Sequence, residues 1–100
     1  MLKPELLMYV DINLGGLHTH LFNSTADFTQ LALGGAGSGI NGNWNDKVSS
    51  FVVQSGRWQF YRHVNYVEPL GPAFGPGVYN WIEAVGVPND QVSSVKIVGE

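Results

Sequence analysis

An all-β chain folded as an antiparallel sandwich is predicted by three features of the sequence. Thirteen glycines and five prolines punctuate short runs rich in Val, Tyr, Phe and Trp, the pattern of many short strands rather than of helices. A six-residue element near the middle of the chain recurs near its end, so the chain reads as two copies of one unit. In the final run Val95 and Ile97 point one way and Lys96 the other, which gives that strand a single buried face.

Taken in order, the expected strands are Leu6 to Val10, His18 to Phe22, Ser50 to Gln54, Arg57 to Arg62 and Ser94 to Val98. Two stretches are weakly helical and occupy similar places in the two halves: Asp27 to Leu33, with Asp27 as the cap, and Tyr79 to Val85. Glycines at 34, 35, 37, 39 and 42, with Ser38 and Asn41 among them, predict a mobile loop. It is no phosphate cradle, because it lacks the terminal Gly-Lys-Ser/Thr.

One hundred residues with 44% hydrophobic content and twelve aromatics suffice for one core, so a single domain spanning residues 1–100 is expected. A net charge of −3 without clustering of either sign argues against a nucleic-acid partner. Asp11, Gly15 and His18 break the first apolar region well short of a membrane span. The first five residues also lack the pattern of a signal peptide. Without cysteine there are neither disulfides nor thiolate metal sites.

The repeat carries the chemistry. Asn45-Asp46-Lys47-Val48-Ser49-Ser50 recurs 44 residues later as Asn89-Asp90-Gln91-Val92-Ser93-Ser94, with five of six positions identical. Upstream of it, Tyr9, Asn13, Leu14 and Gly16 correspond to Tyr61, Asn65, Tyr66 and Glu68. A turn whose hydroxyls cap backbone groups is one reading of the element. The other is that an amide oxygen, a carboxylate, a hydroxyl and loop carbonyls, all hard donors, suit calcium. Two copies with the same offsets favour calcium. One Asp per element implies modest sites, with Kd roughly 10⁻⁶ to 10⁻⁴ M, and six residues need oxygens from a partner loop.

In these elements the sequence resembles the microbial βγ-crystallins, whose calcium signature is (Asn/Asp)-(Asn/Asp)-x-x-(Ser/Thr)-Ser. Tyr9, Asn13 and Gly16, then Tyr61, Asn65 and Tyr66, are similar to the family's hairpin signature, and Pro76-Gly77-Val78-Tyr79 to its Pro-Gly-x-Tyr. The resemblance implies a sandwich of two Greek-key motifs, about residues 5–55 and 56–98, forming two four-stranded antiparallel sheets with short helical turns. It also implies two Ca2+ ions. Ser49 and Ser93 would supply hydroxyl oxygens, Lys47 and Gln91 their carbonyls, and Asn45, Asp46, Asn89 and Asp90 side-chain or carbonyl oxygens. The hairpin of the opposite motif would complete each site through the carbonyls of Val10 and Arg62, with Asp11 as an alternative.

Two departures from the family pattern set further expectations. Glu68 stands where the hairpin glycine takes φ > 0, and Pro69 favours extended conformations before it, so the second hairpin is expected to fold differently. The glycine-rich stretch before Asn45 is expected to loosen the first element, making the two sites unequal.

His18 and His20 alternate on a strand and would face one side, but no third ligand is near in sequence, so a structural role is expected. Trp44, Trp58 and Trp81 read as core rather than as a sugar-stacking platform. With no cysteine nucleophile, no nucleophile elbow and no carboxylate partner evident for the histidines, the chain is not expected to be an enzyme. The expected function is calcium binding that stabilises the fold or a contact of a larger parent protein, the isolated domain being monomeric. The alternative is a non-catalytic module of the same shape, a proteinase inhibitor or carbohydrate binder whose Ser-Ser elements are only structural.

Overall fold

The computed structural model describes residues 3–31, 33, 42–88 and 91–99. Among the described residues seven strands form: β1 (Glu5–Asp11), β2 (Gly15–Leu21), β3 (Ser50–Ser55), β4 (Arg57–His63), β5 (Val67–Phe74), β6 (Gly77–Tyr79) and β7 (Ser94–Gly99). The five strands expected from sequence are present with ends shifted by a few residues, except that Phe22 lies outside β2 and is half exposed.

Strand β5 was not foreseen, because Pro69, Gly71 and Pro72 lie within it. It is an edge strand, where a missing backbone donor is tolerated. The helical stretches shrink to single 3-10 turns, Phe28–Gln30 and Ile82–Val85. Asp27 caps the first by accepting from the Thr29 amide at 2.9 Å, whereas Tyr79 belongs to β6 instead of the second.

The strands pair into two antiparallel sheets, ordered β2-β1-β3-β6 and β5-β4-β7. The second is three-stranded rather than four-stranded, and its fourth position is reduced to a bridge between Thr25 and Val95 with bonds of 2.8 and 3.0 Å. The two orders are equivalent once β1, β2 and β3 are matched to β4, β5 and β7. Each half then hands its third extended segment to the other half's sheet: β6 joins β3, and Thr25 joins β7. This is Greek-key wiring, and the exchange ties the halves together.

Alternation along the strands places Leu6 and Met8 of β1, Phe51 and Val53 of β3, Trp58 and Phe60 of β4 and Val95 of β7 in one core. The Phe51 ring lies 4.8 Å from Phe60, 5.0 Å from Phe74 and 4.6 Å from Tyr79, joining both sheets. Trp44 and Trp58 are fully buried in the core, while Trp81 is half-buried. Lys96 faces solvent between buried Val95 and half-buried Ile97. No helix among the described residues is long and apolar enough to cross a membrane.

Candidate metal centre

Each repeated element turns directly into a strand, and its two serines have separate tasks. The second serine holds a hairpin. Ser50 Oγ donates to Asp11 O at 2.5 Å and accepts from Leu14 N at 3.0 Å. Ser94 Oγ likewise donates to His63 O at 2.6 Å and accepts from Tyr66 N at 3.2 Å. Both hydroxyls are buried, and both of their bonds satisfy hairpin groups that lie far away in sequence.

The first serine is used only through its backbone. Ser49 N donates to Tyr9 O and Ser93 N to Tyr61 O, each at 2.9 Å. The Ser49 carbonyl accepts from Ile82 N and the Ser93 carbonyl from Phe28 N, so each element anchors the 3-10 turn of the opposite half. Ser49 and Ser93 are 5% and 8% exposed as whole residues, and their hydroxyls, which reach the surface, have no hydrogen-bond partner among the described residues. A surface-reaching hydroxyl without a protein partner is open to a ligand from outside.

In the second half these atoms open onto a cleft of about 480 Å³ lined by Asp46, Arg62, His63, Gln91 and Ser93. Gln91 and Ser93 come from the second element, Arg62 and His63 from the adjoining end of β4, and Asp46 from the first element. The Asp46 amide donates to Val92 O at 2.9 Å, which leans one element on the other. Asp46 has φ 58, a left-handed conformation that Asp tolerates better than most residues.

Within the sheets each hairpin adjoins the element of its own half. Tyr9 and Val10 adjoin Ser49, and Tyr61 and Arg62 adjoin Ser93, each within its own half. The strand that feeds each hairpin pairs with the strand that follows each element, β1 with β3 and β4 with β7, so local proximity is built into the sheets. What crosses between halves is Asp46, which lines the cleft of the second element.

The remaining residues of the signature are placed as follows. Asn45 is half-buried, and its amide Nδ2 donates to Asp46 Oδ2 at 3.3 Å. Lys47 is exposed, with its amide bonded to Trp44 O at 3.2 Å. Asn89, Asp90 and residues 34–41 of the glycine-rich stretch lie outside the described residues. Arg62 is the residue whose side chain sequence reasoning passed over. Its guanidinium donates to Gln91 Oε1 and pairs through Nε with Glu68, and so brings a cation to the wall of the cleft.

At its tip the second hairpin repeats the first, although the register shift that lies between Tyr9 and Asp11 in the first lies between Trp58 and Phe60 in the second. Glu68 has φ 64 and Gly16 φ 74, and Asn65 and Tyr66 at φ 60 repeat Asn13 and Leu14 at φ 56 and 58. The Ser94 bonds, the Asn65 N to Ala26 O bond of 2.7 Å and the Arg62 ion pair together hold Glu68 there despite Pro69. The first hairpin has the equivalent bond from Asn13 N to Asn80 O, also 2.7 Å.

Among the described residues no three His, Asp or Glu side chains are grouped closely enough to hold a metal by themselves. The donors in the cleft are instead a hydroxyl, a carboxylate, an amide and backbone carbonyls. The oxygens of that set fit a hard cation, and His63 adds a single imidazole to the lining.

No curated protein sequence matches the chain. Its structure is similar to a βγ-crystallin from an archaeon, with 30% identity and a TM-score of 0.76 over 96% of this chain and 99% of the other. A βγ-crystallin from Ciona intestinalis is similar at 26% identity and a TM-score of 0.76, over 94% and 99%. A transition-metal-ion-binding βγ-crystallin from Methanosaeta thermophila shares 32% identity with a TM-score of 0.71, over 92% and 98%. The family model described as Beta/Gamma crystallin matches residues 5–98, and with the exchanged strands and paired hairpins described above the chain belongs to the βγ-crystallin family.

Proposed function

We propose that this βγ-crystallin domain is a non-catalytic calcium-binding module with two sites of modest affinity, whose ions stabilise the fold or a contact of a larger parent protein. The observation that supports it is the division of labour between adjacent serines. Ser50 and Ser94 spend both hydrogen-bonding capacities on hairpins, whereas the neighbouring hydroxyls of Ser49 and Ser93 have none to make within the described residues. In the second site Ser93 Oγ, the carbonyls of Gln91 and Arg62 and the Asp46 carboxylate are the donors. In the first, Ser49 Oγ and the carbonyls of Lys47 and Val10 are their counterparts, with Asp90 in the role of Asp46. Asn45 and Asn89 support the turns or donate through water. A bound ion supplies a positive centre that ties two elements and one hairpin together.

Calorimetric titration with calcium chloride tests this directly. Saturable heat approaching two ions per chain, abolished by chelator, is expected, and silence across the micromolar to millimolar range would overturn the reading. Oxygen donors also predict that calcium is held at these sites in preference to zinc. Displacement of bound calcium by an equal concentration of zinc would contradict the assignment.

A further inference from the structure

The two sheets of the sandwich differ in charge. Strands β1, β2, β3 and β6 carry two carboxylates, Glu5 and Asp11, and no Lys or Arg. Strands β4, β5 and β7 carry three cations, Arg57, Arg62 and Lys96, and one carboxylate, Glu68. Alternation sorts these four groups further. Trp58 and Phe60 of β4 and Val95 of β7 point into the core, so Arg57, Gln59 and Tyr61 leave the outer face together with Lys96, the register partner of Gln59. Arg62 and Glu68 pair with each other at the cleft instead. Arg57 and Lys96 are both exposed, and neither forms an ion pair among the described residues. On a chain of net charge −3 the outer face of the three-stranded sheet is therefore a positive surface.

Two tyrosines organise that surface. Lys96 Nζ lies 5.4 Å from the centroid of the Tyr66 ring, within cation–π range. The Tyr66 ring in turn meets that of Tyr61 edge to face, with centroids 5.7 Å apart. Both rings are half-buried, so they hold an exposed ammonium in one place. A lysine ordered in this way loses less side-chain freedom when it meets an anion. Tyrosine also offers an apolar ring with a polar tip, which suits the mixture of C–H and hydroxyl groups on a sugar.

We propose that the outer face of the three-stranded sheet binds an acidic polysaccharide, with Arg57 and Lys96 taking its sulfate or carboxylate groups and Tyr66 as the positioning residue for Lys96. A nucleic-acid duplex carries a charge about every 1.7 Å and calls for a larger basic footprint than two cations. A chain of acidic sugars spaces its charges more widely and presents rings between them. The surface uses none of the oxygen donors of the cleft, so it acts with or without bound calcium.

Calorimetric titration of the chelated protein with dextran sulfate tests the proposal, with neutral dextran as the control, in about 0.1 M salt where screening acts within about 10 Å. Saturable binding of the sulfated polymer and none of the neutral one is expected. Arg57→Ala and Lys96→Ala each weaken binding about two- to fivefold, and the loss shrinks as salt is raised. Glu5→Gln changes the net charge by one unit on the opposite sheet and leaves binding unchanged. Tyr66→Ala keeps every charge yet weakens binding by a similar two- to fivefold, whereas Tyr66→Phe retains it. Thermal melting shows that each variant is folded at the assay temperature. Hyaluronan, whose anions are carboxylates, tells a uronate ligand from a sulfated one. Absence of binding to both acidic polymers, equal binding of neutral dextran, or native affinity in both Arg57→Ala and Lys96→Ala overturns the surface. Tighter binding of a single-stranded oligothymidylate than of either acidic polymer also overturns it, in favour of nucleic acid. Native affinity in Tyr66→Ala overturns the role of Tyr66.

Discussion

Ser50 holds the hairpin after β1 and Ser94 the hairpin after β4 through the same two hydrogen bonds, and six hairpin residues, three in each half, share one left-handed conformation or its glycine equivalent. The side chains beside those bonds differ. Val10 and Gly16 of the first half are Arg62 and Glu68 of the second, an apolar edge against an ion pair. Spacing differs too, since 21 residues separate Phe28 from Ser49 but 11 separate Ile82 from Ser93. The backbone frame is carried by a few hydrogen bonds from the repeated element. That leaves the hairpin side chains and the connecting stretch free to set the charge and surroundings of each cleft.

The largest expected effect separates the two serines of each element. A ligand that binds only the native state contributes RT ln(1 + [L]/Kd), which for ~1 mM calcium and a Kd of ~10 μM is about 2.7 kcal/mol per site. Each kcal/mol moves the midpoint of a domain this small by about 4 to 8 °C. Saturating calcium should therefore raise the melting temperature by at least ~10 °C over chelated protein. Ser49→Ala with Ser93→Ala should leave the chelated midpoint nearly unchanged and abolish most of the calcium increment. If the double variant keeps the increment, these serines are structural.

Ser50→Ala and Ser94→Ala should do the reverse. Each removes two part-buried hydrogen bonds to a hairpin carbonyl and amide, worth about 0.5 to 1.5 kcal/mol apiece and so about 1 to 3 kcal/mol together in the chelated protein. The two variants should be alike despite the different hairpins. A chelated midpoint that does not fall in either would remove the frame on which the comparison rests. Gly16→Ala follows in size: a Cβ there would lie 2.5 Å from Asp11 Oδ2 and 2.6 Å from Val10 Cγ2 at a φ of 74. About 1 to 2 kcal/mol of lost stability is expected from the backbone alone, and an unchanged thermal midpoint would refute the close contact.

The repeat made much of this legible in the sequence. It located both serines of each element, both hairpins and the pseudo-symmetry, and its reading of the element as a turn whose hydroxyls cap backbone groups holds for Ser50 and Ser94. Strand β5 was hidden because proline and glycine punctuate loops and edge strands alike. The hairpin of Glu68 was misjudged because local preference before Pro69 was weighed without the tertiary bonds of Ser94 and Asn65. Which hairpin adjoins which element was beyond sequence altogether, since it depends on β1 pairing with β3 and β4 with β7.

Exchanging Arg62 for the valine of the first half sharpens the electrostatic side of the comparison. A unit charge about 6 Å from a divalent ion opposes it by about 1.4 kcal/mol in a water-like dielectric. Arg62 has 37% of its side chain exposed and is already paired with Glu68, so screening reduces this to under about 1 kcal/mol. Arg62→Val should tighten the second calcium site roughly three- to fivefold at low salt, and Val10→Arg should weaken the first. Both changes should shrink at high ionic strength. Equal site affinities that do not respond to either exchange would show that the guanidinium does not reach the ion.

The smallest effect is expected at Glu68, where the cost of an L-residue at φ 64 is partly offset by its surroundings. At the matching Gly16 a Cβ would run into the second γ-carbon of Val10. Arg62, which replaces Val10, is unbranched at Cβ and turns its guanidinium to the Glu68 carboxylate. Left-handed backbone costs an L-residue roughly 1 to 2 kcal/mol. Glycine escapes that cost but loses about 0.4 to 1 kcal/mol more unfolded-chain entropy, and an exposed ion pair is worth about 0 to 1 kcal/mol. These terms nearly cancel, so Glu68→Gly should shift the chelated midpoint by no more than a few degrees. Glu68→Gln should behave almost as the native protein. A fall of 10 °C or more in Glu68→Gly would mean that the ion pair with Arg62, and not the bonds of Ser94 and Asn65, holds the second hairpin in the shape of the first.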